Sequence, residues 1–323
     1  MYILVYPFKI QKWPTINLTR RSLMQVGIIG LGRMGMNMAR RLLTGDHQVI
    51  AYNRTPDKTE TLVTEGATGA FSIKEVVEKL TPPRVVWLML PAGDVVDEHL
   101  KILSDLLDPD DIIVEGGNTY YKDDIRRAEQ LAKKSIQYVD AGVSGGIWGL
   151  KVGYCLMAGG DKKTCKYLEP IFTTLAPPEG YLYCGPTGSG HFVKMVHNGI
   201  EYGMMQAYGE GFAILEASPY SKGLDYAKVS HLWNQGSVVR SWLLELLEDA
   251  FANDDKLERI RGYVDDSGEG RWTVLQAVES GVAAPVIALS LFKRFQSRDD
   301  NAFEDRVLAA LRREFGGHAV KNK

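Results

Sequence analysis

Lys194, His197, Asn198 and Glu201 bring an amine, an imidazole, an amide and a carboxylate into one short run of the chain. Apolar residues at Val193, Val196, Ile200 and Met204 follow close to helical spacing and Pro186 stops what precedes them, so a helix is predicted here. Helical offsets of three, four and seven put the four polar groups on one broad face, with Lys194 and Glu201 roughly 10 Å apart along the axis. That is an acid/base set on a rigid element, able to address two ends of a small substrate. On an arbitrary helix such residues form a solvated face. Here Gly188, Ser189, Gly190, Gly199, Gly203, Gly209, Gly211, Met195, Met204 and Met205 argue for a helix approached closely on several sides, because an interior glycine costs about 1 kcal/mol relative to alanine.

The elements that must position this set start with an apolar run at 24–30. It leads into Gly30-Leu31-Gly32-Arg33-Met34-Gly35 and a helical stretch to Leu43. Strand before and helix after give the G-x-G-x-x-G spacing its meaning as a dinucleotide site: a tight turn at Gly30, close approach to a pyrophosphate at Gly32, and helix–strand packing at Gly35. After the next strand, 48–52, the chain reads Asn53-Arg54-Thr55, where an NAD-selective site carries Asp or Glu. Arg54 can pair with a 2′-phosphate, so NADP is favoured, with NAD the alternative.

Strand and helix then alternate: helix 72–80, strand 84–90 ending at Leu90-Pro91-Ala92-Gly93, helix 95–107, strand 111–115 closed by Gly116-Gly117-Asn118, helix 123–134, strand 137–143 closed by Ser144-Gly145-Gly146. A further strand at 154–160, a helix at 162–175 and a strand at 181–185 complete the pattern. These units predict an α/β fold with an N-terminal Rossmann-type doubly wound sheet, its ligands at the carboxyl ends of the strands. Beyond Pro186 only helices are predicted, at 187 onward, 226–235, 237–250, 272–280, 285–298 and 304–313. The expected division is a dinucleotide-binding domain at 24–185 and an all-helical substrate and dimerisation domain with a C-terminal tail at 186–323. Residues 1–23, basic and without an acidic residue, are read as an extension, disordered or upstream of a true start at Met24.

With 323 residues, 45% of them hydrophobic, and a net charge of −2, the chain has room for two domains and no electrostatic basis for binding nucleic acid. No apolar run reaches the ~20 residues of a membrane helix. Cys155, Cys165 and Cys184 fit no metal-ligand spacing and read as reduced packing residues of a cytoplasmic protein; no metal is expected.

Taken together, the glycine loop, Gly116-Gly117-Asn118-Thr119, Ser144-Gly145-Gly146, the run Lys194-Met195-Val196-His197-Asn198-Gly199-Ile200-Glu201-Tyr202 and the tail Arg312-Arg313-Glu314-Phe315-Gly316-Gly317-His318 resemble the 6-phosphogluconate dehydrogenases of the β-hydroxyacid dehydrogenase superfamily, in their short form. The resemblance implies oxidative decarboxylation of 6-phosphogluconate to ribulose 5-phosphate and CO2, as in the pentose phosphate pathway or gluconate utilisation. Lys194 matches the general base and Glu201 the general acid. Asn118, Ser144, Gly145, Gly146, His197 and Asn198 match groups that hold the carboxylate and hydroxyls; Tyr202, Arg294, Arg312 and His318 match the phosphate set. Gly30 to Gly35, Asn53, Arg54, Thr55, Leu90, Pro91, Ala92 and Asn118 fall at the cofactor. A homodimer or homotetramer is implied, with the tail serving the neighbouring subunit's site.

The chain departs from the long form before Trp272, where Ser267 and Glu269 stand at the places of a lysine and a threonine that touch the phosphate. Glu269 beside a phosphate would be repulsive unless it turns away or Arg271 compensates. The other readings are a non-decarboxylating β-hydroxyacid dehydrogenase acting on a small acid, and a non-enzymatic dinucleotide sensor.

Overall fold

The computed structural model describes residues 23–316 and 319–321. The expectation for residues 1–23 lies outside them save for Leu23, as does His318. The first unit runs β1 (Gln25–Ile29), α1 (Arg33–Thr44), β2 (Gln48–Tyr52), α2 (Pro56–Thr64), β3 (Thr68–Gly69), α3 (Ile73–Lys79), β4 (Val85–Leu88), α4 (Asp94–Leu106), β5 (Ile112–Glu115), α5 (Tyr121–Ala132), β6 (Gln137–Ser144), α6 (Gly149–Val152), β7 (Cys155–Gly160), α7 (Lys162–Tyr167), α8 (Glu169–Leu175) and β8 (Tyr181–Gly185). Its sheet has the order β3-β2-β1-β4-β5-β6-β7-β8. The order reverses between β1 and β4, which opens a crevice at their carboxyl ends where the glycine loop sits.

Strands such as β4 and β5 are buried along their whole length, as a sheet covered on both faces requires. Trp87 packs edge-on against Phe172 in the core under α1 and α8. On the other face, Val76, Leu100, Leu103 and Leu131 from α3, α4 and α5 cover Ile50, Val86 and Leu88.

The helices that follow are α9 (Ser189–Glu216), α10 (Tyr226–Asn234), α11 (Trp242–Asn253), α12 (Glu269–Glu279), α13 (Pro285–Gln296) and α14 (Phe303–Gly316). At its start α9 lies on β6 and β7 at very short range: a Cβ on Gly142 would stand 2.4 Å from Lys194 Cβ, and one on Gly190 would stand 2.4 Å from the Met157 carbonyl. Farther along, α9 packs on α12 and α13. Its last turns join Tyr226, Leu244 and Phe251 in a small aromatic core around Phe212.

Several expectations need correcting. The 162–175 helix is two, because Pro170 in the first turn of α8 restarts the chain after Leu168. Strand β7 runs antiparallel to β6, so the doubly wound pattern ends at β6. Helix α2 and the short β3 lie in a stretch whose alternation was not read. The helix expected at 237–250 starts later, at Trp242, where Ser241 caps α11, its hydroxyl accepting from Leu244 N–H. Gly209 and Gly211 have no atom within 4 Å of a built Cβ, so the close approach inferred for α9 holds at Gly190 and Gly199 and fails toward its end.

Candidate active site

A cavity of about 1790 Å³ runs from the glycine loop to α9, along the carboxyl ends of β1, β2, β4, β5 and β6. At one end, Gly30 takes φ +98° and a Cβ there would lie 2.4 Å from the Met89 carbonyl, so only glycine makes this turn. A Cβ on Gly32 would meet nothing within 4 Å: open space stands over the N-terminus of α1, where no side chain caps the helix. Free backbone N–H groups facing open space fit a pyrophosphate. Arg33, Met34, Asn53, Arg54, Thr55, Leu90, Pro91, Ala92 and Asn118 line the same cavity. Lys58 of α2 joins Arg54 there, a second cation that no strand-end motif marks in the sequence.

Two of the expected cofactor contacts are braces. Leu31 is fully buried in the core, and its N–H donates to Asn53 Oδ1 at 2.9 Å. Asn53 Nδ2 in turn donates to the Thr55 carbonyl, so this side chain ties the glycine loop to the end of β2.

At the other end, Lys194, His197, Asn198 and Glu201 share one face of α9, and all four line the cavity with Ser144, Gly145 and Gly146. The start of α9 is fixed by Asp140 at the middle of β6, whose carboxylate accepts from Gly188 N–H at 2.6 Å and His191 N–H at 2.9 Å. His191 lies buried among Asp124, at 2.8 Å from its Nδ1, Glu115 and Asp140. Burial opposes its charge, but these carboxylates outweigh it and push the imidazole up to about 10. Glu115, Asp124 and His191 offer ligand atoms within 4.8 Å of one another, and two of them, Glu115 Oε2 and His191 Nε2, stand 3.7 Å apart without a hydrogen bond. Glu115 Oε1 also accepts from Gly117 N–H, which holds the loop bearing Asn118.

Lys194 is 5% exposed, and Nζ donates to Asn198 Oδ1 at 2.7 Å. Burial lowers its pKa from the ordinary lysine value, against the charges of Glu269 and Glu201. His197 Nδ1 stands 2.9 Å from Asn198 Oδ1, and its Nε2 stands 3.3 Å from Ser144 Oγ, which links α9 to the end of β6. Glu201 is half-exposed, 3.8 Å from His197 Nδ1, one turn beyond.

The expected phosphate residues divide. Tyr202 is buried under the Arg294 guanidinium, 3.5 Å from ring centroid to Cζ, and its hydroxyl accepts from Ser267 N–H at 3.3 Å. Neither Tyr202 nor Arg294 lines the cavity; Ser267 does. Arg312 is exposed on α14, away from the cavity of its own chain, and His318 is outside the described residues. Glu269 does not stand beside the phosphate residues as a free charge. It is the first residue of α12, 2% exposed, and accepts from the Asn198 amide and from Ser267 Oγ. Arg271 does not compensate it either: Arg271 pairs with Asp266. The helix expected from Trp272 begins three residues earlier, at Glu269, which draws this carboxylate out of the loop and into the packed interface with α9.

The family descriptions "NAD binding domain of 6-phosphogluconate dehydrogenase" and "6-phosphogluconate dehydrogenase, C-terminal domain" match residues 25–185 and 190–318. The YqeC protein of Bacillus subtilis (strain 168) is 49% identical over 300 residues, which cover 93% of this chain and 100% of that protein. The NAD(+)-dependent, decarboxylating 6-phosphogluconate dehydrogenase of Haloferax volcanii is 43% identical over 93% of this chain and 99% of its own. An NADP(+)-dependent, decarboxylating one from Bacillus subtilis is 38% identical over 90% of this chain but only 64% of its own length. Among solved structures, Plasmodium falciparum 6-phosphogluconate dehydrogenase superposes with a TM-score of 0.78 at 30% identity, over 93% of this chain and 66% of that one.

Proposed function

The chain belongs to the 6-phosphogluconate dehydrogenase family and is an oxidoreductase with an NAD(P)-binding domain, and on that premise we propose that it converts 6-phosphogluconate to ribulose 5-phosphate and CO2. A bound dinucleotide, NADP by the Arg54 and Lys58 pair or NAD as in one of the relatives, supplies the hydride acceptor; Gly30 to Gly35, Arg54, Thr55 and the Leu90-Pro91-Ala92 turn would hold it.

The substrate carboxylate and adjoining hydroxyls lie against Ser144, Gly145, Gly146, Asn118, His197 and Asn198. Lys194, bound neutral, takes the proton of the C3 hydroxyl as C3 is oxidised. The product is a β-keto acid, whose carboxyl carbon–carbon bond breaks readily because the electron pair flows into the adjacent carbonyl. Lys194, now an ammonium, donates to the enediolate oxygen that forms. Glu201, in its protonated form, then gives a proton to the carbon that carried the carboxylate, C2 of the substrate and C1 of ribulose 5-phosphate. The observation that carries the reading is the buried lysine held on Asn198, in the same cavity as the glycine loop and the Ser144 turn.

The phosphate goes to Ser267 on the cavity wall, backed by Tyr202 and Arg294, and to Arg312 and His318 of a neighbouring copy. Exposed Phe303, Val307 and Leu311 on one face of α14, with exposed Leu275, Val278 and Val286 on α12 and α13, support such pairing.

The test is turnover of 6-phosphogluconate with NADP and with NAD while CO2 is trapped. Stoichiometric reduction and CO2 release are expected. Turnover of an unphosphorylated β-hydroxy acid without CO2 establishes the second reading, which Ser267 in place of a lysine favours.

A further inference from the structure

The chemistry just proposed leaves one buried carboxylate at the site without a task. Glu269 Oε2 accepts from Asn198 Nδ2 and, at 3.2 Å, from Ser267 Oγ. On one side Asn198 Oδ1 accepts from Lys194 Nζ. On the other, Ser267 N–H reaches the Tyr202 hydroxyl, under Arg294. A continuous line of hydrogen bonds thus joins the proposed base to the loop proposed for the phosphate, and Glu269 is its middle member.

The amide makes the direction of this line meaningful. A primary amide has a donor end and an acceptor end, and its neighbours decide which faces where. An ionised carboxylate only accepts, so Glu269 draws Nδ2 to itself and turns Oδ1 toward Lys194 Nζ. Without it the amide can turn over and present N–H to an amine that needs an acceptor. The charged groups facing Glu269 are Lys194, His191 and Glu201 from α9, with the Ser267 hydroxyl from its own loop; burial raises its pKa and Lys194 opposes that rise.

We propose that Glu269 is a positioning residue: it orients the Asn198 amide so that Lys194 keeps its acceptor, and through Ser267 it couples the base to the phosphate-binding loop. The role in turnover rests on Lys194 acting as the base; the orientation of the amide does not.

The test compares the full-length protein with Glu269→Gln and Glu269→Asp by NADPH affinity, by kcat and KM for 6-phosphogluconate across pH, and by the pH dependence of Lys194 acetylation by acetic anhydride, read by peptide mass spectrometry. Glu269→Gln is expected to bind NADPH normally, to lower kcat at least about tenfold while KM changes by less than about threefold, and to bring Lys194 to half-reactivity about one pH unit lower. The shift is downward because a negative charge that favours the ammonium is gone. Glu269→Asp, one methylene too short for Asn198, keeps the charge: kcat should fall while the Lys194 titration stays near wild type. It carries the test should the Gln variant not fold. Wild-type kcat in either folded variant, with an unmoved Lys194 titration in Glu269→Gln, overturns the proposal. A wild-type protein that does not turn over 6-phosphogluconate overturns the functional reading instead, and the Lys194 titration then decides the role of Glu269 alone.

Discussion

A lysine can serve as a base only when neutral, and burial moves the Lys194 pKa down in that direction, with Glu269 and Glu201 pulling the other way. Activity should therefore fall as pH falls through its pKa, and that limb of kcat/KM should lie below the 10.5 of an exposed lysine. Lys194→Met should lower kcat by about a thousandfold or more while NADPH still binds, since its loss removes both proton acceptor and enediolate donor. In the cofactor end, Arg54→Glu should move the kcat/KM ratio of NADP to NAD at least about tenfold toward NAD, read with both cofactors at saturating substrate. Residues of this kind were legible in the sequence because one helix spaces Lys194, His197, Asn198 and Glu201, and one turn spaces the glycines. Glu269 was not, since its partner Asn198 is 71 residues away and meets it only once α12 seats on α9.

Most helices and strands of the first unit could be read from apolar runs and their punctuation, because central strands such as β4 and β5 are buried along their whole length; α2 and the two-residue β3 could not. The reversal of β7 could not, since the direction of a strand depends on what it pairs with and leaves no mark in its own composition. The approach of α9 to β6 is an element-scale prediction. Gly142→Ala puts a methyl where Lys194 Cβ stands, so α9 must move; about 1–3 kcal/mol of stability and most of kcat should be lost, with NADPH affinity retained. The loop before α12 makes a second one. Arg271 and Arg298 hold the Asp266 carboxyl down to about 2, from 3.8, so its contribution is complete above pH ~4 and disappears as pH falls toward 2. Thermal melts from pH 5 down to pH 2 should show Asp266→Asn already destabilised at pH 5 and converging on wild type at the acid end.

At the scale of the whole molecule, every described side chain of α14 is exposed and Arg312 does not line the cavity of its own chain. If the tail completes a neighbour's site, mixing inactive Lys194→Met with inactive Arg312→Ala under conditions that exchange subunits should restore about a quarter of wild-type activity, as random pairing gives one competent site in half of the dimers. Continued inactivity of the mixture, with exchange verified by mass spectrometry, would place Arg312 elsewhere. The α9 rod, 28 residues and so about 42 Å long, carries its own message about dissection. It is capped by Asp140 of the sheet at one end and buried in the aromatic cluster of Phe212 at the other, with Lys194 between. Because the seam between the two halves falls at the cap of that rod instead of in a linker, the chain cannot be cut at 186 into an independent nucleotide module and an independent catalytic module. A fragment ending there would bare the groove at Gly142 and Gly159, and its complement would take Lys194 away from the surface that buries it.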